Sequence, residues 1–277
     1  MLAKRCNSCD GIYDSLDVRF TKACDNACQF CIERAGIDDR GMAPTDVMVE
    51  KTLSTGIKSV LILGGEPFLF PSRLEKYIRG IRQAVDEIYI TTSLPECVLS
   101  NPSIFKMLNG INISLQSLDW KENNRIMRAS SNHNRIALLQ HLLNRWSGKV
   151  RVNLNLVKGN IDSSYRIFKS LIALQEMGCK NVKINELQHS PDLYVSFDDI
   201  METKTPSPYA HGCQTTIDIP YIFMNVVLKR SCFLVEQSRQ ASFKDMVKAA
   251  VKRYWRYTNK FSVLYEDGML SNNWKKK

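Results

Sequence analysis

Short apolar runs alternate with helix-like segments about six times between residues 16 and 187, and this alternation restricts the fold more than any other feature. Short β-branched runs bounded by glycine or polar residues are typical of buried strands. Strands separated by helices are usually joined as parallel neighbours through helical crossovers. The runs predict strands at 16–20, 59–63, 87–92, 111–115, 150–157 and 181–187.

Six such units predict an α/β fold, a partial (β/α)6 barrel over residues 15–190. A complete eight-unit barrel typically needs about 250 residues. The pattern changes after residue 187, where a loop rich in Pro, Ser and Asp begins. We therefore expect three parts: an N-terminal segment 1–14, the core, and a C-terminal appendage 191–277. The appendage is predicted to hold strand-like segments at 216–227, a basic helix at 243–257 and a last strand at 261–265.

The chain has nine cysteines. Whether they form disulfides or bind metal depends on whether the protein resides in an oxidising or a reducing cellular compartment. No apolar run reaches the ~18 residues that span a bilayer. The first residues also lack the apolar core of a signal peptide. These features predict a cytoplasmic protein without a membrane partner, where disulfides rarely persist. Clustered cysteines are then expected to be metal ligands or catalytic thiols.

Three of the cysteines, Cys24, Cys28 and Cys31, lie within eight residues directly after the first predicted strand. Three thiolates can hold three irons of a cubane iron–sulfur cluster and leave the fourth iron open for chemistry. The alternative is one face of a helix, because the spacing also follows i, i+4, i+7. Asp25 and Asn26 are unfavourable inside a helix, which argues against that alternative.

A second motif, Gly64-Gly65-Glu66-Pro67, follows the second predicted strand. CysX3CysX2Cys and GGEP in this order resemble the radical S-adenosylmethionine (SAM) superfamily. The resemblance implies a catalytic [4Fe-4S] cluster on the three cysteines, with SAM at its open iron. It also implies that Phe30 packs near the adenine and that GGEP holds the methionine amino group. Glycines let the backbone approach a ligand, and Glu66 offers an acceptor to an ammonium.

Polar residues at the later strands are further candidates for SAM contacts, each with the alternative of a structural, barrel-lining role. The resemblance places hydroxyls or amides near SAM at the third and fourth strands and a carboxylate-binding arginine just beyond. Two asparagines on the fifth strand share one face. These candidates are Thr92, Ser93, Ser114, Gln116, Arg128, Asn153 and Asn155. Glu186, ending the sixth strand, is the predicted catalytic, substrate-contacting residue, with a surface loop carboxylate as its alternative.

A second cysteine set predicts another metal. Cys6 and Cys9 form a CysX2Cys half-site, and Cys213 and Cys232 from the appendage would complete a tetrahedral zinc site. His211 is an alternative ligand. An auxiliary iron–sulfur cluster is the competing interpretation, and scattered thiols without metal are the third.

The superfamily resemblance implies an enzyme that forms a 5′-deoxyadenosyl radical with electrons from a flavodoxin or ferredoxin. The compact layout favours a small-molecule substrate. It resembles the layout of queuine lyases, which implies cleavage of queuine to release a 7-deazaguanine base. The net charge of +10 keeps a tRNA-modifying enzyme open, although a solvated basic helix face and a charged C-terminal tail are the preferred explanation. A peptide-modifying enzyme with an auxiliary cluster and a non-enzymatic redox or metal module are two more functions that the sequence allows.

Overall fold

The computed structural model describes residues 15–32, 41–188, 190–201, 214–231 and 263–271. Ten strands are found in these ranges. Six of them, β1 to β6, form the core and match the six predicted strands within one or two residues at each end. The strands are β1 Ser15–Thr21, β2 Ser59–Gly64, β3 Glu87–Thr92, β4 Gly110–Leu115, β5 Val150–Leu156, β6 Asn181–Glu186, β7 Gln214–Ile217, β8 Asn225–Lys229, β9 Val263–Leu264 and β10 Leu270–Ser271.

All ten described strands belong to one sheet with the order β10-β9-β1-β2-β3-β4-β5-β6-β8-β7. Strands β1 to β6 are parallel to their neighbours, and so are the β1–β9 and β6–β8 pairs. Only the outermost strands, β10 and β7, run antiparallel to the strand beside them. The sheet is open because β10 and β7 are its two edges. The predicted α/β fold with a parallel sheet and a partial barrel is therefore confirmed.

Helical crossovers connect the parallel strands and cover one face of the sheet. The α-helices are α1 Thr45–Ser54, α2 Pro71–Ile81, α3 Pro102–Met107, α4 Trp120–Met127, α5 Arg135–Trp146, α6 Ser164–Glu176 and α7 Phe197–Met201. Side-chain caps begin three of them: Asp119, Asn134 and Ser163 each accept a backbone N–H from the first turn of the following helix. Such caps satisfy donors that the helix itself leaves unpaired.

Strand β5 shows how the sheet separates its two faces. Val152, Leu154 and Leu156 are buried in the same apolar cluster as the helix residues Leu139 and Leu171. The residues between them are polar and only half-buried, with the pattern VRVNLNL over the strand. Side chains alternate along a strand, so these polar residues lie on the face opposite the helices. We call this opposite face the lumen face.

The carboxyl ends of the strands converge, as expected in a barrel-like sheet. Phe30, which follows β1, packs in one small apolar cluster with Val157 after β5 and Leu187 after β6. Strands β1 and β6 are separated by four strands in the sheet. Their following loops can touch only because the sheet curves. The loop after β1 therefore reaches across the mouth of the partial barrel.

The described parts of the predicted appendage extend the core sheet at both edges. Strand β8 pairs with β6, and β9 pairs with β1. At the β1 edge, Arg19 and Glu266 form an ion pair of 2.9 Å with both side chains 1% exposed. The described strands of the predicted appendage therefore belong to the same sheet as the core. The predicted basic helix 243–257 lies outside the described residues. None of the described helices combines the length and apolar character needed to cross a membrane.

Candidate functional site

The three clustered cysteines lie in an irregular loop at the mouth of the barrel. The structure has no α-helix between Lys22 and Cys31, so the alternative of a helical stripe is wrong. Cys24 is exposed, and Cys28 and Cys31 are partly exposed. The backbone N–H of Asn26 donates to Cys24 Sγ at 3.4 Å. The loop presents three accessible sulfur atoms and no disulfide.

These thiols fit a cluster better than a single ion. Among the described residues, no three His, Cys, Asp or Glu side chains lie close enough to share one metal ion. In a cubane cluster each cysteine binds its own iron, so the sulfur atoms are spread around the cluster. A donor set of three accessible thiols on one short loop fits a cluster held by three cysteines.

The Gly64-Gly65-Glu66-Pro67 turn packs directly against the cysteine loop. Gly65 N–H donates to Thr21 O at 2.6 Å, and Glu66 N–H donates to Ala23 O at 2.7 Å. A Cβ on Gly65 would lie 2.0 Å from Ala23 O, and Gly64 has φ +125°. Only glycine fits both positions. The close backbone approach that glycines permit here is to the cysteine loop, so the two motifs form one unit.

The Glu66 side chain is fully buried and already bound by the protein. Its Oε1 accepts Phe68 N–H at 3.1 Å and Thr92 Oγ1–H at 2.9 Å. Its Oε2 accepts Ser93 N–H at 2.6 Å and Ser93 Oγ–H at 2.7 Å. Burial raises the pKa of Glu66 to about 7, although the four donors oppose that change. The carboxyl group fixes the ends of β2 and β3 relative to each other, and Pro67 begins a buried 3-10 turn.

Arg135 joins the cysteine loop to the rest of the site, and the sequence did not single it out. Its side chain is fully buried, and its guanidinium donates to Asp25 Oδ2 at 2.7 Å and to Asn26 Oδ1 at 3.2 Å. It also donates to Ser93 O at 2.9 Å and to Asn124 Oδ1. An arginine opposes the helix dipole in a first turn, as at the start of α5. That unfavourable position is a sequence signal from which a structural role of Arg135 could have been predicted.

The remaining predicted cofactor residues fall into two groups. Ser114 and Asn153 lie opposite each other on β4 and β5, and Gln116 and Asn155 extend the same lumen face. Gln116 Oε1 and Asn153 Oδ1 are enclosed and accept no hydrogen bond among the described residues. Such acceptors suit the hydroxyl or amino donors of a nucleoside. Arg128 is exposed instead, and its backbone O accepts Ala27 N–H at 3.1 Å, which supports the cysteine loop.

Glu186 does not lie on the lumen face. It is 1% exposed, and it shares the helix-facing side of β6 with the apolar Ile184. Its oxygens accept Phe197 N–H at 2.9 Å, Ser231 N–H at 2.8 Å and Tyr194 O–H at 3.3 Å. These contacts do not fit the predicted substrate contact. The carboxylate joins β6 to α7 and to the chain just after β8. The sequence did not predict this orientation, because the last residue of a strand can face either side of the sheet.

The second predicted metal set lies outside the described residues. This applies to Cys6, Cys9, Cys213, Cys232 and the alternative ligand His211. Of the two remaining cysteines, Cys179 is buried and Cys97 is half-buried. A zinc site or an auxiliary cluster therefore stays a prediction.

Comparison with known proteins identifies relatives of the core. The profile of the radical SAM superfamily matches residues 18–185. The GTP 3′,8-cyclase of Lactiplantibacillus plantarum is 22% identical over 215 residues, which cover 73% of this chain and 64% of that enzyme. A probable GTP 3′,8-cyclase of Pyrococcus horikoshii is 32% identical over 112 residues, 39% of this chain and 36% of that protein. The chain thus spans less than two thirds of these relatives.

A solved structure has the same fold. The crystal structure of Streptococcus suis SuiB bound to S-adenosylmethionine superposes with a TM-score of 0.63 at 18% identity. The match covers 94% of this chain and 60% of SuiB. The superfamily profile spans more than half of the chain, including the cysteine loop, the GGEP turn and all strands from β2 to β5. This chain belongs to the radical SAM superfamily.

Proposed function

We propose that the loop bearing Cys24, Cys28 and Cys31 holds a [4Fe-4S] cluster and that the GGEP turn binds the methionine end of SAM beside it. The observation that carries this proposal is the direct contact between the two motifs, where Glu66 N–H donates to Ala23 O at 2.7 Å. When bound and reduced by an external flavodoxin or ferredoxin, the cluster supplies the electron that cleaves SAM.

The chain's own residues position the cofactor. Arg135 and Asp25 hold the cysteine loop, and Phe30 closes the mouth against Val157. The enclosed acceptors Gln116 Oε1 and Asn153 Oδ1 face the lumen and suit the ribose hydroxyls or adenine amino group of SAM. Glu66 acts by fixing the backbone of the turn, so the ammonium of SAM is left to main-chain acceptors.

The substrate is proposed to be a small molecule bound on the lumen face. Queuine is the first candidate, from the resemblance in layout, and the reaction would be its cleavage. GTP is the second, because curated relatives are named GTP 3′,8-cyclases. Two cations favour the second candidate. Lys183 on β6 and Lys229 on β8 lie on the lumen face, where they would repel the amine of queuine and attract phosphate.

Product analysis tests this proposal. The protein is reconstituted anaerobically with iron and sulfide and reduced with dithionite, and 5′-deoxyadenosine is measured with SAM and either queuine, GTP or no substrate. Stimulation by queuine supports the lyase, and stimulation by GTP supports a cyclase-like reaction. Failure of both to stimulate contradicts both substrates. Metal analysis of the same sample tests the second site: about four irons and one zinc per chain favour zinc, and additional iron favours an auxiliary cluster.

A further inference from the structure

Three cationic side chains lie on the lumen face of neighbouring strands. Arg151 lies on β5, Lys183 on β6 and Lys229 on β8. The register pairs Asn153 with Lys183, and Asn185 with Lys229. Residues two apart on a strand share a face, and paired residues of parallel neighbours do too. The three cations therefore occupy one continuous polar surface, below the carboxyl ends of the strands that carry the cysteine loop.

Lys183 is the most enclosed of the three, with 9% of its surface exposed. Burial lowers its pKa well below the usual value, and Lys229 and Arg151 lower it further, while Asp17 opposes them weakly. Among the described residues, none makes an ion pair or side-chain hydrogen bond with Lys183, and Arg151 Nε is enclosed without a hydrogen-bond acceptor. Burying cations without a partner is costly.

Asp17 on β1 is a carboxylate that acts on Lys183, and its effect on the pKa is smaller than those of burial, Lys229 and Arg151. Two other carboxylates at the edges of this surface are already used elsewhere. Glu186, on the same strand as Lys183, points to the opposite face and accepts three protein donors. Glu266 is paired with Arg19 at the β1 edge. The positive charge of the three cations is therefore only partly compensated, by Asp17, and an anion entering from the mouth would be attracted to it.

We propose that Lys183, Lys229 and Arg151 form an anion subsite that binds a phosphate or carboxylate group of the substrate. The proposal rests on the proposed function, since it takes the lumen as the place where substrate binds. The planar guanidinium of Arg151 suits two oxygens of one anionic group, and the lysines act as point charges. Lys229 and Asn185 lie nearer the mouth, so the uncharged end of the substrate would extend from them towards the cysteine loop.

Calorimetry with simple anions tests the subsite directly. Pyrophosphate and malonate are titrated separately into the reconstituted protein without SAM. We expect at least one of them to bind, and Lys183→Met to weaken that binding about tenfold or more. Lys169→Met, which removes an exposed charge on α6, is the matched control and should bind as the wild type. Binding of pyrophosphate alone identifies a phosphate group, and binding of malonate alone identifies a carboxylate.

The proposal is overturned if neither anion binds or if Lys183→Met binds as tightly as the wild type. Two more readouts separate it from other roles. Because methionine removes an unpaired buried cation, Lys183→Met should keep or raise the melting temperature, and a clear fall would show that the lysine supports the fold. SAM affinity should be unchanged, and its loss would assign the lysine to SAM itself. Cleavage of SAM without substrate tests the proposed function separately, because it needs no anion.

Discussion

Replacing Gly65 with alanine should disrupt the contact between the GGEP turn and the cysteine loop. The new Cβ would lie 2.0 Å from Ala23 O and 2.7 Å from the carbonyl carbon of Lys22, and both are backbone atoms. Real Cβ atoms essentially never approach closer than 3.0 Å. The turn and the loop must therefore separate by about 1 Å, which is a severe distortion for a packed interior.

The structure gives the size of the effect. Two backbone hydrogen bonds cross this contact, from Gly65 N–H to Thr21 O and from Glu66 N–H to Ala23 O. Each is worth about 1 kcal/mol, and unpaired buried groups cost more. We expect a loss of ~2–3 kcal/mol in the free energy of unfolding, or about 3–5 °C in melting temperature for a chain of this length. SAM affinity should fall as well, since the turn no longer meets the cluster loop.

Gly148→Ala is the matched control, because a Cβ at Gly148 meets nothing within 4 Å. Thermal unfolding and SAM titration of both reconstituted variants are the assays. If Gly65→Ala melts within about 1 °C of Gly148→Ala and binds SAM as tightly, the turn does not depend on this contact and the reasoning is refuted.

Three further substitutions test the surrounding contacts. Arg135→Ala removes the ion-pair partner of the nearly buried Asp25, so urea unfolding should show a loss of about 3–5 kcal/mol in the free energy of unfolding. Metal analysis of the reconstituted variant should show less iron. A loss under about 1 kcal/mol would contradict this reasoning. Glu186→Gln should lower the free energy of unfolding by about 1–3 kcal/mol and leave the KM for substrate unchanged. A raised KM with no loss of stability would instead support the predicted contact between Glu186 and substrate. Glu66 has a pKa of about 7 in the folded protein, above its ordinary value of 4.5. Protonated Glu66 therefore stabilises the fold by roughly 3 kcal/mol relative to the ionised form. This contribution is fully present below pH 4.5 and is lost as pH rises through 7. Melting temperature should therefore fall more steeply from about pH 5 to 8 in the wild type than in Glu66→Gln, and parallel curves would argue against it.

The regular elements were predictable where apolar residues carry the pattern. Strand β3 begins and ends where the sequence placed it, at 87–92. Helix α4 lacks such a pattern, because its buried residues are Asn123, Asn124 and Met127 and two of these three are polar. No apolar stripe marks such a helix in the sequence.

The site was predictable as a pair of motifs but not as a set of contacts. Cysteine spacing and the GGEP turn identified the chemistry, because both depend on neighbouring residues. The partner of Asp25 lies 110 residues away at Arg135, and such a pair depends on how the whole sheet curves. Glu186 was predicted to contact substrate because its position at a strand end is clear from the sequence, while the face on which it lies depends on the tertiary register.

The most direct test of the account is SAM cleavage by the reconstituted, dithionite-reduced protein, measured as 5′-deoxyadenosine per chain. Wild type and Cys97→Ala should both form it. Cys97 lies outside the cysteine loop, and its thiol donates to Phe68 O. Cys28→Ala should form none, because the cluster loses one of its three ligands. Equal product from wild type and Cys28→Ala, or no product from wild type, would contradict a radical SAM site at this loop.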